Sequence, residues 1–165
     1  MSGFPWSTAS VLTVETSAEA LFEYLDDHRN LSSHMARPSR MMMGSKIDVR
    51  LPAGGTGSVG AKFGFTGNVL GVPLAVEEVV TERDPPRLKA WTTVGAPRLW
   101  VIGRYRMGFR IEARQPRASL LTVFIDYDLP EPPGLRWLGF VLGGVYARWC
   151  TRRMAGDAAR HFRQA

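Results

Sequence analysis

The chain is poor in several of the residues and patterns that common functions depend on. Cys150 is the single cysteine, so no intrachain disulfide can form and nothing implies an oxidising compartment. Histidine is scarce: His28, His34 and His161 lack the i,i+4 spacing that places two imidazoles on one helix face, and no metal is expected. The N-terminus MSGFPWSTAS has neither the basic segment nor the apolar run of a signal peptide. The longest uncharged stretch near the C-terminus, Trp137 to Ala147, is about half of the ~20 residues that a membrane span needs. A soluble cytoplasmic protein is the expectation.

Like charges do not cluster. The net charge is +6, but the excess is arginine scattered along the chain with no block of five or six like charges, which favours a solvated basic surface over a nucleic-acid site. Glycines are dense in GGTGSVG at 54–60, yet their spacing is neither a dinucleotide fingerprint nor a phosphate loop. They read as a turn between strands, whose mobility could gate the mouth of a cavity. No cofactor is expected.

What is present is an ordinary globular composition, 45% hydrophobic and 22% charged over 165 residues, long enough for one domain with a real core. Residues 1–9 read as a flexible N-terminus to that single domain. Ser10 to Thr16 is β-branched and alternating, hence a strand, and Thr16 with Glu19 makes a capping box for a helix whose face is Ala18, Leu21, Phe22 and Leu25. A second short helix is predicted around Leu31 to Ala36, closed by Pro38.

From Met41 to Leu129 the pattern changes to period two. Strands are predicted over Ile47 to Leu51, Val59 to Val69, Leu74 to Glu82, Arg87 to Val94, Tyr105 to Glu112 and Ser119 to Leu129. Each has one apolar and one polar face, as a single antiparallel sheet covered on one side requires. After the PEPPG turn at 130–134, residues 134–165 read as one long helix. Trp137, Phe140, Val141, Gly144, Ala147, Thr151, Ala155, Ala158 and Phe162 recur at helical spacing, bulky at both ends and small in the middle. Small residues facing a sheet would leave a gap that a ligand can fill.

The segments VLTVETSAEALFEYLDD (11–27), GGTGSVGAKF (54–63), VVTERDPPRLKAW (79–91) and DYDLPEPPGLRWLG (126–139) resemble the helix-grip superfamily. That superfamily includes START domains and birch-pollen-allergen-like proteins, and the segments are most similar to its bacterial polyketide cyclase/dehydrase-like (SRPBCC) branch. The resemblance implies an α+β fold in which a seven-stranded antiparallel sheet wraps around a long C-terminal helix, with two short helices after the first strand. It also implies an apolar cavity for lipids, quinones, sterols or polyketides. Fold analogy by itself does not define a function.

The apolar set expected to line such a cavity is Phe63, Phe65, Tyr105, Met107, Phe109 and Tyr127 on strands, facing Phe140, Gly144, Ala147 and Thr151 on the helix. The hydroxyls of Tyr105, Tyr127 and Thr151 could orient a ligand. No catalytic constellation is visible. Cys150, in an apolar stretch, reads as a small core residue. Asp26, Asp27, His28 and His34 read as solvated helix ends rather than a cation site. Glu77 and Glu78 are adjacent in a strand and point to opposite faces, so one should face the interior, where burial would raise its pKa and fit it for general acid or base work. An arginine neighbour would give the same glutamate a purely structural role.

A second helix stripe, Leu138, Leu142, Val145 and Trp149, runs on into Arg152, Arg153, Arg160 and Arg163. Its cover is expected to be the N-terminal helices or a second subunit, with an anionic membrane surface as the alternative. Either stripe could be the one that lines the cavity. Three functions follow: a carrier or binding module for a hydrophobic small molecule, a cyclase, aromatase or dehydratase-type enzyme, or an interaction module for a protein or a membrane.

Overall fold

In the first strand, β1 (Trp6–Val14), pairing starts at Trp6 rather than Ser10: Trp6 lies opposite Tyr127 and Val14 opposite Ser119. Residues 6–9 are therefore part of the sheet and not a flexible lead. The computed structural model describes residues 3–31, 46–69 and 71–164. Ser17, one residue later than expected, caps α1 (Ala18–Asp26), its Oγ accepting from the Ala20 amide at 3.2 Å. Glu19 stays in the first turn, where its charge favours the helix dipole without closing a capping box. The second helix, α2 (His28–Leu31), begins earlier than predicted; the rest of the predicted segment, with Pro38 and His34, lies outside the described residues.

Six further strands follow: β2 (Lys46–Arg50), β3 (Lys62–Val69), β4 (Val72–Asp84), β5 (Leu88–Arg98), β6 (Tyr105–Gln115) and β7 (Ala118–Tyr127). They form one antiparallel sheet in the order β1-β7-β6-β5-β4-β3-β2, joined by the long helix α3 (Pro133–Gln164). Period-two registers align the inward rows. Tyr105 opposes Tyr127, Met107 opposes Ile125, Phe109 opposes Val123 and Ile111 opposes Leu121. Lys89 opposes Phe109 and Trp91 opposes Met107. Helix α1 lays Leu21, Phe22 and Leu25 on this face, all buried, with the Phe22 and Phe109 rings edge to face at 5.6 Å. Each such side chain contributes roughly 1.5–3 kcal/mol by leaving water.

A bulge redirects β4. Val80 opposes Trp91 but Glu82 opposes Ala90, so Thr81 is an extra residue, and beyond it Arg83 points inward with Lys89 while Glu82 points outward to Arg106 at 2.6 Å. No helix among the described residues is long and apolar enough to cross a membrane.

Small residues on α3 bring the helix close to the sheet rather than leaving a gap. Thr151 Oγ1 lies 2.8 Å from Ser10 Oγ on β1, and Ala147, Ala155 and Ala158 are buried. A Cβ on Gly143 would stand 2.8 Å from the Val101 carbonyl oxygen, and one on Gly139 would collide with the Pro130 ring. The contact face turns along the helix as a result. Near its start Gly139 and Gly143 face the fold while Trp137, Phe140 and Val141 are exposed, whereas further on the Ala147 and Thr151 side is buried.

Candidate functional site

Among the described residues, one carboxyl group, that of Glu78, is fully buried between the sheet and α3. Of the adjacent pair on β4, Glu77 faces out and Glu78 faces in, 1% exposed, opposite Phe63 on β3 and Thr93 on β5. The Tyr105 hydroxyl donates to Glu78 Oε1 at 2.7 Å, and Oε2 has no hydrogen-bond partner at normal geometry. Burial raises the Glu78 pKa to about 8, against the opposing pull of the Tyr105 hydroxyl and the Trp91 indole. At neutral pH the group is therefore a carboxylic acid. With Tyr105 on Oε1, Oε2 is the oxygen left without a partner at normal geometry.

Helix α3 brings Tyr146 and Cys150 to this point. The Cys150 thiol, pushed up to about 12 chiefly by burial, stays protonated and unreactive. The Tyr146 hydroxyl, bonded to Cys150, and the Tyr105 hydroxyl are both held well above the usual phenol range, the first mainly by Cys150 and the second mainly by burial. These groups are neutral polar side chains within the apolar core.

The structure brings together some of the residues expected to line a cavity and separates others. Phe63, Tyr105, Met107, Phe109 and Tyr127 are buried on the inward face, and Phe65 packs against the same core. Tyr127 supports the start of α3, its ring against Gly143 and its hydroxyl beside Gly144. Ala147 and Thr151 are buried, but against β1. Phe140 is 67% exposed and meets Trp6 edge to face at 5.9 Å, and Gly144 is exposed too. On α3, Tyr146, Trp149, Cys150 and Met154, which the expected lining set did not include, join Ala147 in the core cluster.

Sequence reasoning missed a second polar group altogether. Asp26 and His28 are not solvated helix ends. Lys89, 0% exposed, donates from Nζ to the Asp26 carboxylate at 2.7 Å and to the Asp26 carbonyl at 2.6 Å. Arg83 grips the same carboxylate at 2.8 Å, and His28 Nδ1 is 2.9 Å from Thr56 Oγ1. Burial would raise the Asp26 pKa, but Arg83 and Lys89 outweigh it and hold the group below the usual range. Burial and the Lys89 charge hold His28 down to about 3, so its ring is neutral. No group of three or more metal-ligating side chains occurs among the described residues. Parity carried the missing signal: Trp91 faces inward, so Lys89, two residues before it, does as well.

Next to this cluster, a depression of about 430 Å³ opens between α1 and the 51–57 loop, with Glu23, Asp26, Asp27 and Arg29 among its walls. Its walls mix these charged side chains with Leu51, Pro52 and Ala53.

No family model matches the sequence, and no curated protein is significantly similar to it. Solved structures place the fold. The aromatase/cyclase ZhuI from Streptomyces sp. R1128 superposes with a TM-score of 0.62 at 14% identity, over 94% of this chain and 94% of that one. A norcoclaurine synthase mutant from Thalictrum flavum gives 0.61 at 16% identity, over 96% and 94%. The major latex-like protein 151 of Panax ginseng gives 0.58 at 14%, over 95% and 97%. The chain has the helix-grip fold, as the resemblance implied. At these identities the likeness shows the fold alone.

Proposed function

We propose that the chain binds a hydrophobic small molecule of lipid, quinone or polyketide type between the sheet and α3, for storage or transfer, with Glu78 and Tyr105 orienting its polar end. Glu78 carries this reading. It is a neutral carboxyl with a spare donor, embedded on the face shared by Phe63, Trp91 and Tyr105. A buried polar atom left without a partner costs roughly 1–3 kcal/mol, and a ligand oxygen accepting from Glu78 removes that cost. Enclosing apolar ligand surface then contributes about 25 cal/mol per Å² against the cost of association. Native mass spectrometry of protein isolated from its own host, followed by denaturing extraction, tests it. A stoichiometric apolar adduct with a carbonyl or hydroxyl oxygen is expected; a hydrophilic or metal adduct in its place contradicts it.

A second reading, an enzyme of cyclase or dehydratase type, is favoured by the same residue. A carboxyl with a pKa of about 8 is suited to general acid catalysis near neutrality, and two of the similar structures are named as an aromatase/cyclase and a norcoclaurine synthase. In an enzyme, Glu78→Gln abolishes turnover while ligand affinity persists. In a carrier there is no turnover to lose.

A further inference from the structure

The first half of α3 turns a large apolar surface to solvent, away from the sheet. Trp137 is 66% exposed, Phe140 67%, Val141 59% and Val145 54%. Trp6, 40% exposed, extends the patch onto β1 through its contact with Phe140. Among the described residues the N-terminal helix α1 does not shield it: its ring contacts with α3 lie near the far end, where Tyr24 stacks on His161 at 4.1 Å. Soluble monomers seldom expose contiguous apolar patches of this kind without a use for them.

Charge identifies what the patch fits. From Pro133 to Gly156 the helix has no acidic residue. Arg136, Arg148 and Arg152 are exposed along this stretch, and none of them joins an ion pair among the described residues. At 3.6 residues per turn, Arg148 and Arg152 continue the line of Val141 and Val145, so apolar and basic groups share one outward face about 22 Å long from Trp137 to Arg152. Gly139 and Gly143 lie on the opposite side, against Val101, Pro130 and Tyr127. A face with aromatic and aliphatic side chains at its centre and arginines around them matches a bilayer surface, where the apolar groups enter the acyl boundary and the guanidinium groups meet lipid phosphates. A second copy of the same face would bury these guanidinium groups with no carboxylate opposite them, since the stretch has none to offer.

We infer that the outward face of α3, from Trp137 to Arg152 with Trp6, docks the protein onto an anionic lipid bilayer. Helix α3 lies in the plane of the surface, and the sheet stays in water.

The test is co-sedimentation of the full chain with vesicles of phosphatidylcholine alone and of phosphatidylcholine with phosphatidylglycerol. Binding is expected to the anionic vesicles, to weaken with salt, and to fall with Val141→Asp combined with Val145→Asp. Each arginine at an anionic surface contributes roughly fivefold in partitioning, so Arg148→Glu with Arg152→Glu should reduce binding more than tenfold. Because these side chains point outward, thermal melts should be unchanged, and the arginine pair remains a test if the valine pair does not fold. Arg114→Glu with Arg117→Glu makes the same charge change in and beside the β6–β7 turn and should leave most binding intact. An equal loss in that control overturns the assignment, as does no binding to anionic vesicles. So does a concentration-dependent dimer abolished by the valine substitutions, which would mean that a second copy covers the face.

Discussion

Replacing Glu78 with glutamine isolates the consequence of a neutral carboxyl in this interior. Burial raises the Glu78 pKa from 4.5 to about 8, so over that interval the folded chain holds a proton that the unfolded chain has released. The stability due to that proton is complete below the unfolded pKa and is lost as pH rises through the folded one. At 1.36 kcal/mol per pKa unit, the loss between about pH 5 and pH 8 is on the order of 3–4 kcal/mol. In a domain of this size that corresponds to roughly 6–15 °C in melting temperature. Glutamine keeps the shape and still accepts from Tyr105, but it cannot ionise. Glu78→Gln should therefore match the parent within about 1 kcal/mol near pH 5 and exceed it by about 3 kcal/mol near pH 8. Urea unfolding of both ligand-free proteins at several pH values measures the difference, in which the other titrating groups cancel. Parallel profiles would refute the argument, because they would mean that Glu78 is charged in the folded state.

Other perturbations act on separate parts of the fold. His28 has the opposite sign: its pKa is depressed from 6.5 to about 3, so its contribution is complete above the unfolded value and lost as pH falls toward the folded one, and His28→Gln should flatten acid unfolding in that window. Lys89→Met leaves the Asp26 carboxylate with Arg83 as its remaining cation; removing one partner of a buried pair costs about 3–5 kcal/mol, and the Arg83 fork places the expected loss near the lower figure, readable by urea titration. Gly143→Ala puts a methyl group 2.8 Å from the Val101 carbonyl oxygen and should cost about 1–3 kcal/mol through overpacking; an unchanged melting temperature would mean that α3 is not held against that loop.

The sheet was legible in the sequence because its signal is local: alternation in YRMGFRI or SLLTVFI identifies both a strand and its inward face. The presence of an inward glutamate followed from the same parity, since Glu77 and Glu78 cannot share a face. Which of the two faces in depends on register with β3 and β5, which is a long-range property. The bulge at Thr81 shows why: one extra residue sends Arg83 inward, and without it the strand's alternation would place Arg83 in solvent. Small residues on α3 were misread for a related reason. Spacing shows that Gly144, Ala147 and Thr151 are small on one side, but a gap and a close contact leave the same pattern: the Ser10 to Thr151 hydrogen bond and the burial of Ala147 identify a contact, while Gly144 is exposed and its neighbour Gly143 makes the close approach to Val101. Lys89 went unnoticed because a lysine in a strand is taken as the solvent side; its stem passes under α1 to reach Asp26, a partner 63 residues away in sequence.

The most direct test of the account is an amide ¹H–¹⁵N spectrum of the protein titrated in turn with menadione, farnesol and palmitate, three apolar molecules with different polar ends. Saturable shifts with at least one of them, centred on Glu78, Trp91, Tyr105 and Tyr146 and weakened in Glu78→Leu, are what a ligand anchored at Glu78 between sheet and helix predicts. If all three leave those amides unmoved, or if the shifts stay on the outer face around Trp137 and Val141, the interior is a packed core and the binding function proposed for it is wrong.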